Sequence, residues 1–222
     1  LQKEQDFVKF HKVSPVSSRL PIPRKTVYRL SLYYRSLQRL RANQIATVSS
    51  AALAKAAGVK PTQLRKDLTY FGQFGTRGLG YDVEALSARL TEALGTARLQ
   101  PVILVGVGNL GAALLHYGGF AKEGFEIIAA FDSDPTPKRS SEWRVPLLGM
   151  NGLRAFVAER GVKMAILAVP ATAAQEVVNE MVCAGIIGIL NFSPTFLQVP
   201  DGVVVNNVDL ALELENLSYF IR

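Results

Sequence analysis

The 222 residues hold one cysteine, Cys183, and two histidines, His11 and His116. A single cysteine excludes an internal disulfide framework, and so few Cys and His residues exclude a Cys/His metal cluster. The chain also lacks any apolar run of about 18 residues or more, so no membrane-spanning helix is expected. The leading stretch Leu1–Val13 carries Lys3, Glu4, Asp6, Lys9 and Lys12 and has no apolar core, so it does not read as a secretory signal. These absences point to a soluble protein of a reducing compartment, the cytoplasm, with neither membrane nor metal as a partner. In the sequence Met-Val-Cys-Ala-Gly, Cys183 reads as a small buried residue.

Positive charge is plentiful, and it is unevenly placed. The formal net charge is +7, but residues 1–98 hold 17 Lys/Arg against 6 Asp/Glu, a net of +11. Residues 99–222 hold 8 against 12, a net of −4. A basic half joined to a mildly acidic half suggests a polyanion partner, most simply nucleic acid, for the first half.

Local patterns divide the chain at the same place. Residues 1–21 contain Pro15 and Pro21 and show no periodicity, and they read as a flexible extension. From Arg24, the residues Val27, Leu30, Tyr34, Leu37 and Leu40 recur at helical spacing. Ser49 and Ser50 offer caps for a second helix, which runs into Gly58, and Pro61 suits the first turn of a third. Two short helices across a glycine turn read as a helix-turn-helix, with Ala54 small enough for their close approach. On the third helix Leu64, Leu68 and Phe71 share one face. Thr62, Lys66 and Thr69 point the other way, with Tyr70 beside them and Gln63 and Arg65 on the flanks. Hydroxyl, amide and cationic groups on one exposed face suit a major groove. The glycine-rich stretch Gly72–Tyr81 reads as the hairpin wing of a winged helix. Its Arg77 would reach a phosphate or a narrow minor groove. Asp82–Leu94 returns to helical spacing and ends at Gly95.

The second half alternates strand and helix. Val102–Val107, Phe125–Phe131, Lys163–Val169, Ile186–Asn191 and Val203–Val205 read as strands. Val145–Leu148 is a further short segment. Helices are expected over Asn109–Lys122, Gly152–Glu159 and Thr172–Ala184. The order predicts an α/β fold with a doubly wound parallel sheet. Residues 22–97 then form a winged-helix domain, 98–206 a Rossmann domain, and 207–222 a terminal helix. Val208, Leu210, Leu212, Leu214, Leu217 and Phe220 make that helix so apolar that it must be covered, by its own domain or by a second subunit.

The strongest chemical signal is Gly106-Val107-Gly108-Asn109-Leu110-Gly111, directly after an apolar strand and opening a helix. The first glycine allows the tight turn, the second lets the backbone approach a pyrophosphate, and the third lets helix pack on strand. The anion would sit on N–H groups at the helix start. Asp132, 21 residues past Gly111 at the end of the next strand, is placed to bind the two hydroxyls of an adenosine ribose. A carboxylate there repels a 2′-phosphate, so NAD(H) is expected over NADP(H), although Lys138 and Arg139 follow close by. Catalytic candidates are few: His116 on the helix after the loop reads as structural or solvated, and no Tyr-x-x-x-Lys pair occurs. About 120 residues make one nucleotide-binding lobe without a substrate domain. The reading is therefore a protein that binds the cofactor without turning it over. An oxidoreductase with a basic dimerisation domain would need a proton-transfer residue near the nicotinamide. A structural DNA-binding protein would ignore the cofactor.

These residues together resemble the redox-sensing transcriptional repressors of the bacterial Rex family, over roughly residues 22–222. The resemblance is carried by Val59-Lys-Pro-Thr-Gln-Leu-Arg-Lys-Asp-Leu-Thr-Tyr-Phe-Gly72, the wing Gly75-Thr-Arg-Gly-Leu-Gly-Tyr-Asp82 and the loop Gly106–Gly111. Ala168-Val-Pro170, Gly188-Ile-Leu-Asn-Phe-Ser-Pro194 and Asn207-Val-Asp209 carry it further. It implies a homodimer that exchanges its last helix, binds a palindromic operator in double-stranded DNA, and leaves it when NADH binds. NADH and NAD+ then serve as effectors, and genes of fermentation and respiration are repressed when NAD+ is high. Position by position, the resemblance implies DNA contact by Arg65, Lys66 and Arg77. It implies cofactor contact by Gly106, Gly108, Gly111 and Asp132, with Val169, Pro170, Asn191, Phe192, Ser193 and Pro194 lining the pocket. Arg35, Tyr117 and Asp209 match a polar trio tied to switching. Leu210 follows Asp209 where some members carry Phe; it fills apolar space but cannot stack on a nicotinamide.

Overall fold

The computed structural model describes residues 22–72, 74–75, 79–136 and 143–221. Two compact units divide between Leu99 and Gln100.

The first unit is helical. It comprises α1 (Arg24–Ala42), α2 (Ser50–Ala56), α3 (Pro61–Thr69) and α4 (Val83–Leu94). The Ser49 hydroxyl accepts the Ala52 N–H at 3.1 Å to start α2, and Asp82 accepts the Ala85 N–H at 2.7 Å to start α4. Pro61 opens α3, where its missing N–H costs no hydrogen bond. Leu30, Tyr33, Leu37, Leu53, Ala54, Leu64, Leu68, Leu86 and Leu90 form the buried core. The buried stripe of α1 is Thr26, Leu30, Tyr33 and Leu37, rotated from the expected one, so Val27 is exposed. Tyr33 takes the inner position because its hydroxyl finds an acceptor in the core.

The expected hairpin within the glycine-rich stretch falls partly outside the described residues, and its described end, Tyr81–Asp82, is a strand. β2 (Tyr81–Asp82) pairs antiparallel with β1 (Thr47–Val48), from the loop before α2, with Val48 opposite Tyr81. No described residue between Gly72 and Leu79 lies in a strand. Arg77 lies outside the described residues, as do Lys138 and Arg139.

The second unit is a six-stranded, wholly parallel sheet. Its strands are β3 (Gln100–Val105), β4 (Phe125–Asp132), β5 (Leu147–Gly149), β6 (Met164–Leu167), β7 (Gly188–Asn191) and β8 (Val204–Asn207). Their spatial order, β5-β4-β3-β6-β7-β8, is that of the doubly wound Rossmann fold. Both faces of the central strand are buried. Ile103 and Val105 pack towards Leu153 and Val157 of α7 (Leu153–Arg160) and Val178 and Met181 of α8 (Ala171–Ala184). Val102 and Leu104 pack in a second cluster with Leu114 of α5 (Asn109–Leu115) and Phe120 of α6 (Gly119–Lys122). The expected single helix over Asn109–Lys122 is thus two, parted at His116–Gly118. Gly118 and Gly119, adjacent and poor in helix propensity, mark the break.

Cys183 is exposed, not buried, because the inner face of α8 is taken by Ala174, Val178 and Met181. Every residue of the terminal helix α9 (Leu210–Phe220) is exposed. No helix among the described residues is long and apolar enough to cross a membrane.

Candidate functional site

The crossover between β3 and β6, where the strand order reverses, opens a crevice at the carboxyl ends of the strands. A cleft of about 480 Å³ lies there. Gly106, Gly108, Asn109 and Leu110 form one wall, and Ala168, Val169 and Pro170 another. Asp132, Met150, Ala173, Val177 and Phe192 are among the residues that line the rest of it. The glycines are there for steric reasons. Gly106 has φ +94°, and a Cβ on it would sit 2.6 Å from the Ala168 carbonyl oxygen. A Cβ on Gly111 would overlap the Gly106 carbonyl, so only glycine lets α5 leave the strand at this angle. Gly108 differs: no atom lies within 4 Å of where its Cβ would be, so its backbone is open to a ligand.

Asp132, at the end of β4, reaches across to this loop. Its Oδ2 accepts the Val107 N–H at 2.6 Å, and its Oδ1 accepts the Asp134 N–H at 3.0 Å. A carboxylate has about four acceptor sites, so capacity remains for hydroxyl groups of a ligand. The Val107 N–H is committed to Asp132, which leaves the N–H groups of Gly108–Leu110, in the first turn of α5, to face an anion.

The remaining expected cofactor residues fall into three sets. Val169, Pro170 and Phe192 line the cleft. Asn191 and Ser193 stand behind it and build it. The Asn191 amide is fully buried and donates to the carbonyls of Ser193 and Thr195, each at 3.2 Å, and to Asn207 Oδ1 at 2.9 Å. The Ser193 hydroxyl donates to the Val169 carbonyl at 2.6 Å, tying the loop after β7 to the one after β6. Val107, Gly111 and Pro194 are not among the residues lining the cleft. Met150, Ala173 and Val177 were not foreseen. The i, i+4 spacing of Ala173 and Val177 on α8 was the available sign.

Tyr117 and Asp209 make separate contacts. The Tyr117 ring meets Phe120 edge-on, with centroids 5.0 Å apart. Asp209 caps α9, accepting the N–H groups of Ala211 and Leu212 at 2.9 and 3.1 Å. Arg35, the third of the expected trio, is exposed on α1 of the other unit. His116 is exposed, with Nδ1 2.8 Å from the Ala112 carbonyl along its own helix.

In the helical unit, α3 presents Thr62, Arg65, Lys66, Thr69 and Tyr70 to solvent. Arg65 donates to the Ser50 hydroxyl at 3.0 Å, and the Thr69 hydroxyl donates to the Lys66 carbonyl at 2.7 Å. The Gln63 amide turns inward and donates to Asp67 at 2.9 Å. Asp67 is a buried carboxylate that sequence reasoning missed. Its side chain is 1% exposed and takes both Nε and a terminal nitrogen of Arg29, at 2.6 and 2.8 Å. It also accepts the Tyr33 hydroxyl at 2.7 Å and the Thr26 hydroxyl at 3.3 Å. Burial alone would raise its pKa. The hydrogen bonds of Arg29, then Tyr33 and Gln63, outweigh that and hold it below the usual carboxylate range. Burial, followed by the bond to Asp67, pushes the Tyr33 phenol up. The signal was an acid in a cationic helix, opposite an Arg and a Tyr four residues apart.

Comparison with known proteins agrees with this architecture. Residues 21–69 match a family model described as "Putative DNA-binding protein N-terminus", and residues 98–195 match one described as a CoA binding domain. A redox-sensing transcriptional repressor Rex from Carboxydothermus hydrogenoformans is 47% identical over 90% of this chain and 97% of its own length. The repressor of the same name from Streptomyces avermitilis is 46% identical over 92% of this chain and 81% of its own. Among solved structures, RSP in complex with β-NAD+ and operator DNA superposes with a TM-score of 0.83. It is 36% identical, and the match covers 91% of this chain and 93% of that one. RSP with β-NADH gives a TM-score of 0.80 at 35% identity, over 91% and 95%.

Proposed function

The chain belongs to the Rex family of redox-sensing transcriptional repressors, and from that premise we propose that it represses transcription as a homodimer whose hold on operator DNA is set by NADH and NAD+. The observation that carries the reading is the meeting of Asp132 with the glycine loop at the mouth of the cleft. An acceptor-only side chain beside an open Gly108 backbone suits a ribose diol next to a pyrophosphate. Repulsion of a 2′-phosphate by the same carboxylate favours NAD(H) over NADP(H). Val169, Pro170 and Phe192 supply the apolar wall against which NADH and NAD+ would be told apart, since the two differ by a hydride and one positive charge on the nicotinamide. The cofactor is an effector and is not turned over, in keeping with relatives that are repressors.

In the helical unit Lys66, Arg65, Thr62, Thr69 and Tyr70 face the major groove, with Gln63 on the flank held by Asp67. Arg77 approaches from the wing. Their cations make affinity salt-dependent, and their base contacts confer sequence preference. A dimer would place two such helices on two half-sites, so the operator should be palindromic. The exposed apolar face of α9 is the surface for the second subunit, and exchange of this helix would bring Asp209 and Leu210 to the partner's cleft. Arg35, Tyr117 and Asp209 would form the polar trio tied to switching between redox states. As a DNA-bound regulator the protein works in the cytoplasm. By linkage, DNA must weaken NADH binding by the factor by which NADH weakens DNA binding, about 5–150-fold for a coupling of ~1–3 kcal/mol.

DNA binding titrated with NADH and with NAD+ tests the reading. Release by NADH alone is expected. Equal response to both nucleotides, or to neither, would refute it, and hydride turnover with a small carbonyl compound would mark an enzyme instead.

A further inference from the structure

Asp67 is the one buried acid described in the helical unit, and beyond holding Gln63 it has no part in the proposed function. It sits on α3, one residue from Lys66. Its carboxylate binds three successive turns of α1 through Thr26, Arg29 and Tyr33. Both oxygens are engaged: Oδ1 with Arg29, Gln63 and Thr26, and Oδ2 with Arg29 and Tyr33. Arg29 also donates to the Thr26 hydroxyl at 3.1 Å, so the cluster closes on itself.

Such a cluster is a poor means of gaining stability, because desolvating the charges offsets most of their attraction. Its distinctive property is directional. Burial of Leu64 and Leu68 fixes which face of α3 looks inward, but a small roll about that setting leaves both in the core, since dispersion has no preferred direction. A two-point bond between a planar guanidinium and a carboxylate does not tolerate it. Any roll of α3 carries Thr62, Arg65 and Lys66 around with it, and base contacts depend on that register in a way that phosphate contacts do not.

We propose that Asp67 is a positioning residue for sequence recognition: its buried carboxylate fixes the rotation of α3 against α1, and so sets which base edges the exposed side chains of α3 meet. This rests on the reading of α3 as the DNA-facing helix.

The test compares the full chain with Asp67→Asn and Tyr33→Phe. Two duplexes serve as probes, one selected by the wild-type protein from random sequence and a shuffled one, each measured across a salt series. Helical circular dichroism and the unfolding temperature of the helical unit, which holds both substituted residues, report folding. Asp67→Asn should lower the ratio of the two affinities by about tenfold or more. Its affinity for the shuffled duplex and its salt slope should stay within about twofold, because no phosphate-facing cation is removed. The substitution removes a negative charge, so weaker electrostatic attraction cannot explain a loss. Tyr33→Phe deletes one hydroxyl and leaves the ring in the core, and should lower the ratio by roughly threefold, in line with one lost hydrogen bond. A merely structural role would lower the unfolding temperature and leave the ratio of the folded molecules unchanged, and that result overturns the proposal. If Asp67→Asn does not fold, an unchanged ratio for Tyr33→Phe overturns it alone. A wild-type protein that selects no sequence would refute the DNA reading itself, and the proposal with it.

Discussion

The Asp132 carboxylate lies 2.6 Å from the Val107 backbone nitrogen, 25 residues away in sequence. One side chain therefore has two tasks. It holds the glycine loop against the end of β4, and it presents acceptor oxygens to the cleft. In a Rossmann sheet these belong together, because the first and second strands end side by side and the loop must pass over both.

Asp132→Ala removes both tasks and should weaken NADH binding by about tenfold or more, at roughly 1.5–3 kcal/mol for a charged hydrogen bond. Asp132→Asn keeps an oxygen that can accept the Val107 N–H but loses the negative charge. Its loss for NADH should be smaller, and its rejection of NADPH should weaken. Titration calorimetry with both cofactors separates the two variants. Unchanged NADH affinity in Asp132→Ala would remove this residue from the ribose.

Gly111 and Gly108 should respond differently to the same methyl group. In Gly111→Ala the new Cβ overlaps the Gly106 carbonyl, which must move along with α5. A loss of about 1–3 kcal/mol in the stability of this unit is expected, with cofactor affinity falling alongside. Gly108→Ala meets nothing in the free chain and keeps an ordinary φ of −73°. It should unfold at the wild-type temperature and still lose NADH, because the methyl group occupies the approach to the pyrophosphate. Thermal unfolding beside cofactor titration reads both, and parallel losses in the two variants would contradict this division.

How much of this was legible in sequence varies with the range of the interaction. Gly106–Gly111 was read from local chemistry alone, since a strand, a tight turn and a helix start follow one another in the chain. The cleft wall at Val169, Pro170 and Phe192 followed from the family resemblance. What was missed depends on distant partners. Asp67 was passed over, because nothing near it in sequence shows that Arg29 and Tyr33, more than thirty residues earlier, come to meet it. The partner of β2 was missed for the same reason: β1 has only two residues, too few for a period to show. Cys183 was misplaced because a small apolar neighbourhood in sequence says nothing of which helix face looks outward.

The Asp67 cluster also makes the helical unit sensitive at both ends of the pH scale. The Asp67 pKa is depressed in the folded state. Its stabilisation is therefore complete above the ordinary carboxylate value of ~3.9 and is lost as pH falls through the lower folded value. Tyr33 is shifted the other way, upward. Its contribution is complete below the ordinary phenol value of ~10 and is lost as pH rises through the higher folded value. Unfolding of the helical unit followed by circular dichroism should show a stability plateau between these limits. Asp67→Asn should flatten the acid limb and Tyr33→Phe the alkaline limb. Limbs unmoved by either substitution would place the titrating groups elsewhere.

The last helix raises the question of what covers it. Leu210, Leu212, Leu214, Leu217 and Phe220 are each more than half exposed in the single chain, an apolar surface too extensive to leave in water. They extend around more than one side of the helix, so docking on a single flat surface would leave part of them wet; insertion between elements of a second copy would not. Full burial of one such side chain contributes about 1.5–3 kcal/mol. Replacing Leu214 and Leu217 together by Lys should therefore remove about 3–6 kcal/mol per helix and raise the dimer dissociation constant more than about 100-fold. Sedimentation should find the variant monomeric at concentrations where the wild-type chain is dimeric. Operator affinity should fall further than affinity for a single half-site, because only the dimer joins two half-sites. A variant that stays dimeric would show that the subunits meet on another surface and that α9 is covered in some other way.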